Sequence, residues 1–146
     1  MSATLDANVL LYASDEESPF HGRALAFLEE LARGSTLLYL FWPTVLAYLR
    51  IATHPSIFRS PLPHEVAAAN ISGLLGRPNV QTAGEAERFW ASYLEVAGEA
   101  SVGGNLVPDA HLVALMRENG VRTIWTSDRG FRRFDGLDVR DPFVTA

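Results

Sequence analysis

Near its start the chain reads Ala3-Thr4-Leu5-Asp6-Ala7-Asn8-Val9-Leu10-Leu11-Tyr12, so that one aspartate divides two apolar segments. Asp128 similarly follows the segment Thr123-Ile124-Trp125-Thr126, and Asp109 follows Pro108 and opens a helical segment that ends near Asn119. In open α/β sheets, ligands bind in the crevice beyond the carboxyl ends of the strands. We therefore expect Asp6, Asp109 and Asp128 to converge at one edge of a parallel sheet.

Converging carboxylates favour a metal site. They offer hard oxygen ligands to Mg²⁺ or Mn²⁺, which keep several waters for chemistry. Each aspartate also has a purely structural interpretation, because Asp is a common helix N-cap and a common turn residue. Their joint occurrence at segment ends, with Asn8 and Thr126 two residues from an aspartate, favours metal-assisted hydrolysis of a phosphodiester.

Short strands and helices alternate along the chain, which predicts an α/β fold with a parallel sheet covered by helices on both faces. Five strands are predicted, at about residues 3–5, 36–40, 79–82, 123–126 and 137–139. Helices are predicted at about residues 19–32, 43–53, 65–75, 85–97 and 110–119. A length of 146 residues fits one domain, predicted to cover residues 1–146.

The sequence leads to separate expectations for residues 85–97 and for the loop that follows them. The helix at 85–97 carries an aromatic and apolar stripe that we interpret as core, formed by Ala86, Phe89, Trp90, Tyr93 and Leu94. Residues 98–105 contain three glycines and lead into the Asp109 helix. This loop is either a plain connector or a mobile rim over the site, since functional residues concentrate on loops.

Composition excludes several classes of protein. With 48% hydrophobic and 20% charged residues the chain is typical of globular proteins. Its apolar stretches are shorter than the roughly 18 residues of a membrane helix, and no secretory signal is apparent, so we expect a cytoplasmic protein without a membrane segment. The absence of cysteine excludes disulfides, thiol nucleophiles and Cys-based zinc sites. The four histidines lack the paired spacing of a zinc-binding helix.

The net charge of -5 argues against a general nucleic-acid coat, because such binding depends on cations that neutralise phosphates. All twelve basic residues are nevertheless Arg, and Arg129, Arg132 and Arg133 cluster directly after Asp128. Guanidinium groups suit bidentate contacts with phosphate. On charge pattern alone, an exposed basic turn balanced by Asp135 and Asp138 is an equally good interpretation.

Four segments of the sequence together resemble the PIN-domain family. They are Leu5-Asp6-Ala7-Asn8-Val9-Leu10-Leu11, Phe41-Trp42-Pro43 through Tyr48-Leu49-Arg50-Ile51-Ala52-Thr53-His54-Pro55, Pro108-Asp109-Ala110-His111-Leu112-Val113-Ala114, and Thr126-Ser127-Asp128-Arg129-Gly130-Phe131-Arg132-Arg133-Phe134. The second segment resembles the actinobacterial VapC group, the toxins of type II toxin-antitoxin modules. The segments occur in the family's order and cover nearly the whole chain.

The resemblance implies an endoribonuclease toxin that depends on Mg²⁺ or Mn²⁺. It implies that Asp6, Asp109 and Asp128 hold the metal, and we expect Asn8 and Thr126 to orient these ligands. Contacts with the RNA backbone are expected from Arg129, Arg132 and Arg50. The resemblance also implies a VapB-type antitoxin partner, and we expect a homodimer.

The sequence departs from the family pattern at Ala47, where PIN domains usually carry a second acid. This departure favours an alternative function, a catalytically weak or inactive PIN-like protein that binds nucleic acid or an antitoxin without cutting. Two other classes fit less well. A phosphoacceptor receiver domain normally needs a lysine, and the chain has none. A dinucleotide-binding fold needs a Gly-x-Gly-x-x-Gly motif where Asp6-Ala7-Asn8 stands.

Overall fold

Five parallel strands form one sheet in a computed structural model that describes residues 1–144. The strands are β1 (Ser2–Leu5), β2 (Leu37–Phe41), β3 (Val80–Ala83), β4 (Thr123–Trp125) and β5 (Asp138–Arg140). Their order across the sheet is β3-β2-β1-β4-β5, and every pairing is parallel. The last two residues of the predicted domain lie outside the described residues.

Six α-helices connect the strands. They are α1 (Ala7–Ser14), α2 (His21–Arg33), α3 (Trp42–Ala52), α4 (His64–Leu75), α5 (Phe89–Glu99) and α6 (Val107–Glu118). Short 3₁₀ segments at Gly104–Leu106 and Arg129–Arg133 precede α6 and follow β4. Pro43 and Pro108 stand in the first turns of α3 and α6, where a missing backbone N–H costs no helical hydrogen bond.

Strand β2 shows how the sheet divides the core. Leu38 and Leu40 join a cluster with residues of α1, α3 and α4, whereas Tyr39 and Phe41 pack against residues of α5 and α6. This alternation follows from the two-residue repeat of a strand, which sends successive side chains to opposite faces. Burial of the sheet on both faces explains the apolar sequences of its central strands.

The predicted fold class and the five parallel strands are confirmed, and the bounds of most elements agree within a few residues. Helix α5 is the main difference, because it begins at Phe89 rather than at residue 85. Glu85 instead lies before the helix and accepts a hydrogen bond from His111 of α6 at 2.5 Å. The prediction that the whole stripe on α5 is core was wrong, since Trp90 and Leu94 are 64% and 52% exposed.

Across residues 1–144, every helix is too short or too polar to span a lipid bilayer.

Candidate active site

Asp6 lies directly after β1, the central strand of the sheet. Its backbone N–H donates to the carbonyl of Trp125 on β4 at 3.0 Å, which fixes it at the edge where β1 and β4 both end. Its carboxylate caps α1, because Oδ1 accepts from the backbone N–H of Ala7 at 2.7 Å. Capping leaves Oδ2 free for other partners, so the structural and the functional interpretations of Asp6 are compatible.

Thr126 joins the end of β4 to the end of β1. Its buried hydroxyl donates to Asp6 Oδ2 at 3.0 Å and accepts from the backbone N–H of Asp128 at 2.9 Å. Asn8 Nδ2 donates to the same hydroxyl at 3.1 Å and to Asp6 Oδ2 at 3.3 Å. The structure therefore brings Asp6, Asn8, Thr126 and Asp128 into one hydrogen-bonded cluster, although about 120 residues separate its two halves.

Asp128 and Asp109 occupy helix starts. Asp128 caps the 3₁₀ segment at Arg129–Arg133, where its Oδ1 accepts from the N–H of Gly130 at 2.8 Å. Asp109 stands in the first turn of α6, where the helix dipole favours a negative charge. The sequence pattern of an aspartate at an element boundary is thus explained by capping at Asp6 and Asp128 and by helix-dipole stabilisation at Asp109.

Electrostatics link the three carboxylates. Burial, followed by the negative charges of Asp128 and Asp6, raises the pKa of Asp109 to about 6, and the positive charge of Arg133 opposes the rise. Burial also raises the pKa of Asp6. Hydrogen bonds from Thr126 and from the backbone of Ala7 oppose that rise, and the charge of Asp128 adds to it. Mutual repulsion of this kind is what a bound cation relieves.

The donor set suits a divalent cation that keeps part of its water shell. Within residues 1–144, no group of three or more His, Asp or Glu side chains is arranged to hold a metal ion by itself. The carboxylate oxygens are nevertheless hard ligands of the type that Mg²⁺ and Mn²⁺ prefer, and Mg²⁺ is usually held by one or two carboxylates plus waters. Asn8 Oδ1 is a buried acceptor without a hydrogen-bond donor from the described residues. These features fit a hydrated ion better than a closed protein cage.

Two of the predicted RNA-binding arginines lie at this edge. Arg129 and Arg132 line a cavity of about 280 Å³ together with Thr126 and Asp128. Sequence reasoning did not assign a role to Arg133, although it belongs to the same basic cluster and its charge acts on Asp109. Arg50 lies in the last turn of α3. It is eight residues beyond the helix start, or about 12 Å along the axis at 1.5 Å per residue, so we leave it out of the candidate site.

Ala47 occupies a half-buried position in the second turn of α3. It lies between Leu46, which is 62% exposed, and the buried Tyr48. A longer side chain at Ala47 therefore starts at the boundary between core and surface.

The sequence and its relatives place the chain in a known family. The PIN domain model matches residues 3–137. Ribonuclease VapC48 of Mycobacterium tuberculosis is 50% identical over 143 residues, which cover 98% of this chain and 99% of that protein. Ribonuclease VapC37 of the same species is 34% identical over 138 residues, which cover 94% and 95% of the two chains.

Solved structures share the fold at lower identity. Mycobacterium tuberculosis VapC20, a toxin that cleaves the sarcin-ricin loop, has a TM-score of 0.70 and 17% identity over 94% of this chain and 98% of its own. VapBC2 of Rickettsia felis, bound to a DNA fragment from its promoter, has a TM-score of 0.69 and 19% identity over 97% and 98%. The family model and the relative at 50% identity together show that the chain belongs to the VapC group of the PIN-domain family.

Proposed function

We propose that this protein is an endoribonuclease toxin that needs a divalent metal ion, Mg²⁺ or Mn²⁺. The observation that carries the proposal is the hydrogen-bonded cluster of Asp6, Asn8, Thr126 and Asp128 at the ends of β1 and β4. The carboxylate of Asp109 belongs to the same site, because burial and then the charges of Asp128 and Asp6 raise its pKa. Three carboxylates that repel one another at the carboxyl edge of a parallel sheet are poised to hold a cation. The relatives at 50% and 34% identity, both named as ribonucleases, support RNA as the substrate. The cytoplasm is the proposed location.

Asp6, Asp109 and Asp128 would hold the metal, directly or through water. A divalent ion held there would supply charge stabilisation for the phosphodiester and an activated water as the nucleophile. Thr126 and Asn8 keep Asp6 Oδ2 in place, and Thr126 also anchors the backbone of Asp128. Arg129 and Arg132, which lie beside Asp128, bind the RNA phosphates through charge-assisted hydrogen bonds. No protein nucleophile takes part.

The test is RNA cleavage by purified protein that carries no antitoxin. We expect cleavage with Mg²⁺ or Mn²⁺ and none with excess EDTA. The alternative function, an inactive PIN-like binding module, is favoured by Ala47, where the family's second acid is missing. Binding of RNA or antitoxin without cleavage at any metal concentration would support that alternative.

We also propose that a VapB-type antitoxin binds a groove on the α1, α2 and α4 side of the sheet. The groove has a volume of about 440 Å³ and mostly apolar walls, including Leu10, Leu28, Leu62, Ile71 and Leu74. At its base the hydroxyl of Tyr48 is hydrogen-bonded to Ser14 and to Asn70, at 2.7 and 3.0 Å. An apolar antitoxin segment fits these walls, and an Arg or other cation of the antitoxin would lie near the aspartates. Co-expression with the adjacent reading frame and pull-down tests this assignment.

A homodimer is part of the same proposal. Two apolar side chains of α3, Trp42 and Leu46, are 42% and 62% exposed. Exposed apolar side chains that lie together mark protein–protein interaction sites, and we propose that a second copy of the chain covers these two. Light scattering of the purified protein measures the oligomeric state, and we expect the mass of two chains.

A further inference from the structure

A cluster of aromatic rings lies beside the candidate active site and takes no part in the mechanism above. We name it the aromatic platform; it consists of Phe89, Trp90 and Tyr93 on α5. Trp90 and Tyr93 stack with ring centroids 5.6 Å apart and planes that differ by 7°. Phe89 and Tyr93 are packed against the core, so Tyr93 supports Trp90 from one side. The side chain of Trp90 is 64% exposed.

Polar groups rim the platform. His111 of α6 contacts the ring of Phe89 edge-on, with centroids 5.1 Å apart, and donates to Glu85 at 2.5 Å. With Val107, these residues line a cavity of about 310 Å³ whose mouth is open. A flat π surface next to a hydrogen-bonding pair is the combination that proteins use for unpaired bases, which stack on aromatic rings and present their edges to polar groups.

The first turns of α6 lie between this cavity and the aspartates. Val107 and His111 line the cavity on one side of the helix, and Asp109, two residues from each, lies on the other side. Glu85 follows the end of β3, so the cavity lies along the same carboxyl edge of the sheet as Asp6 and Asp128. An RNA strand with its scissile phosphate at the aspartates would therefore carry a neighbouring nucleotide over Trp90.

We propose that the platform stacks one unpaired base next to the scissile phosphate, with Trp90 as the stacking residue and the His111–Glu85 pair facing the base edge. Trp90 is then a substrate-binding residue for RNA cleavage. This inference rests on the proposed ribonuclease function. A stacked base contributes enough binding energy that loss of the ring should weaken RNA binding about 5- to 100-fold.

The experiment uses two variants that differ only in aromaticity. Trp90→Leu keeps an apolar side chain and removes the flat ring, whereas Trp90→Phe keeps a ring. Both are made in an Asp6→Asn background so that the RNA stays intact. The probes are short single-stranded RNAs in which 2-aminopurine replaces one base at a time, because stacking on an aromatic ring quenches its fluorescence. Ile57→Ala, at a 55% exposed apolar position in the segment between α3 and α4, is the surface control.

We expect quenching at one nucleotide position, its loss in Trp90→Leu together with the weaker binding, and its retention in Trp90→Phe and Ile57→Ala. Cleavage by otherwise wild-type protein should show the same order in KM. If wild type cleaves RNA and Trp90→Leu binds it equally well, the platform inference is wrong and the ribonuclease stands. If Trp90→Leu changes the molecular mass in solution and leaves RNA binding intact, the platform is a protein contact. If wild type neither binds nor cleaves RNA, both proposals fail.

Discussion

The hydroxyl of Thr126 donates to Asp6 Oδ2 at 3.0 Å, across 120 residues of sequence. This hydrogen bond connects the ends of β1 and β4, the two strands whose carboxyl ends carry Asp6 and Asp128. Because Thr126 is buried, its hydroxyl has no water as an easy substitute for these partners. The contact therefore positions the site and stabilises the fold at the same point.

Replacing Thr126 by Val keeps the shape of the side chain and removes the hydroxyl. The change leaves the N–H of Asp128 without its acceptor and Asp6 Oδ2 without its best donor. We expect a loss of about 1–3 kcal/mol in the free energy of unfolding, measured by urea denaturation, because buried polar groups lose their partners. Thr126→Ser retains the hydroxyl and should lose less than half as much. A larger loss in Thr126→Ser than in Thr126→Val would mean that the methyl group, rather than the hydrogen bond, matters.

Asp109→Asn should stabilise the metal-free protein at neutral pH. Burial and the charges of Asp128 and Asp6 disfavour the ionised form of Asp109, and an amide removes that charge with little change in shape. We expect a higher Tm in EDTA at pH 7 than for wild type. Asp135→Asn, at an exposed aspartate, is the matched control and should leave Tm nearly unchanged. A lower Tm in Asp109→Asn would show that its carboxylate makes a net stabilising contact.

The difference in Tm between Asp109→Asn and wild type should grow as pH rises. The pKa of Asp109 in the folded protein is about 6, above its usual value of 3.8. The contribution of Asp109 to the free energy of unfolding is therefore most favourable below about pH 4 and is lost as pH rises through 6. The Tm gap between Asp109→Asn and wild type in EDTA should open between pH 4 and 6. A gap of constant size across this range would contradict the raised pKa.

Metal binding should show the opposite trend with pH, because a carboxylate must lose its proton to bind a cation. Below pH 6, protonation of Asp109 should weaken Mn²⁺ binding by up to about tenfold per pH unit. Calorimetric titration of wild type between pH 5 and 7 measures this trend. Affinity that is constant over the range would remove Asp109 from the metal site.

Ala47→Glu tests the missing second acid. If the new side chain reaches the crevice, it adds a negative charge to the cluster, so Mn²⁺ binding should become tighter and activity should need less metal. Leu46→Glu places the same charge on the next, more exposed position of α3 and is the control. Loss of stability in Ala47→Glu with unchanged metal dependence would mean that Ala47 faces the core and that its equivalence to the family acid is wrong.

The parallel sheet could be predicted from local sequence, whereas the side-chain contacts at its edge could not. The alternation of short strands and helices predicted a parallel sheet, and in such a sheet strand polarity alone brings Asp6 and Asp128 to a common edge. The hydrogen bonds of Thr126 could not be predicted, because they depend on the register of β1 against β4, which cannot be read from the sequence alone.

Helix α5 shows the limit of a periodicity argument. Its apolar spacing predicted a buried stripe, and the inner residues Phe89 and Tyr93 do pack on the core. Trp90 belongs to the same pattern but is exposed. Apolar spacing alone does not reveal how wide a face of α5 the neighbouring α6 can cover. Glu85, where the sequence predicted the start of the helix, instead pairs with His111, a contact across 26 residues.

If the three aspartates act together through a divalent ion, removing a carboxylate and removing the ion must have the same effect on RNA cleavage. RNA cleavage by wild type, Asp6→Asn, Asp109→Asn and the control Asp135→Asn is followed across a Mn²⁺ titration and in EDTA, after circular dichroism has established that each variant folds. We predict that wild type and Asp135→Asn cleave with the same metal dependence, that both site variants lose at least a hundredfold in rate, and that EDTA abolishes cleavage. Full cleavage by Asp6→Asn or Asp109→Asn, or by wild type in EDTA, would show that the aspartates do not act through a metal ion.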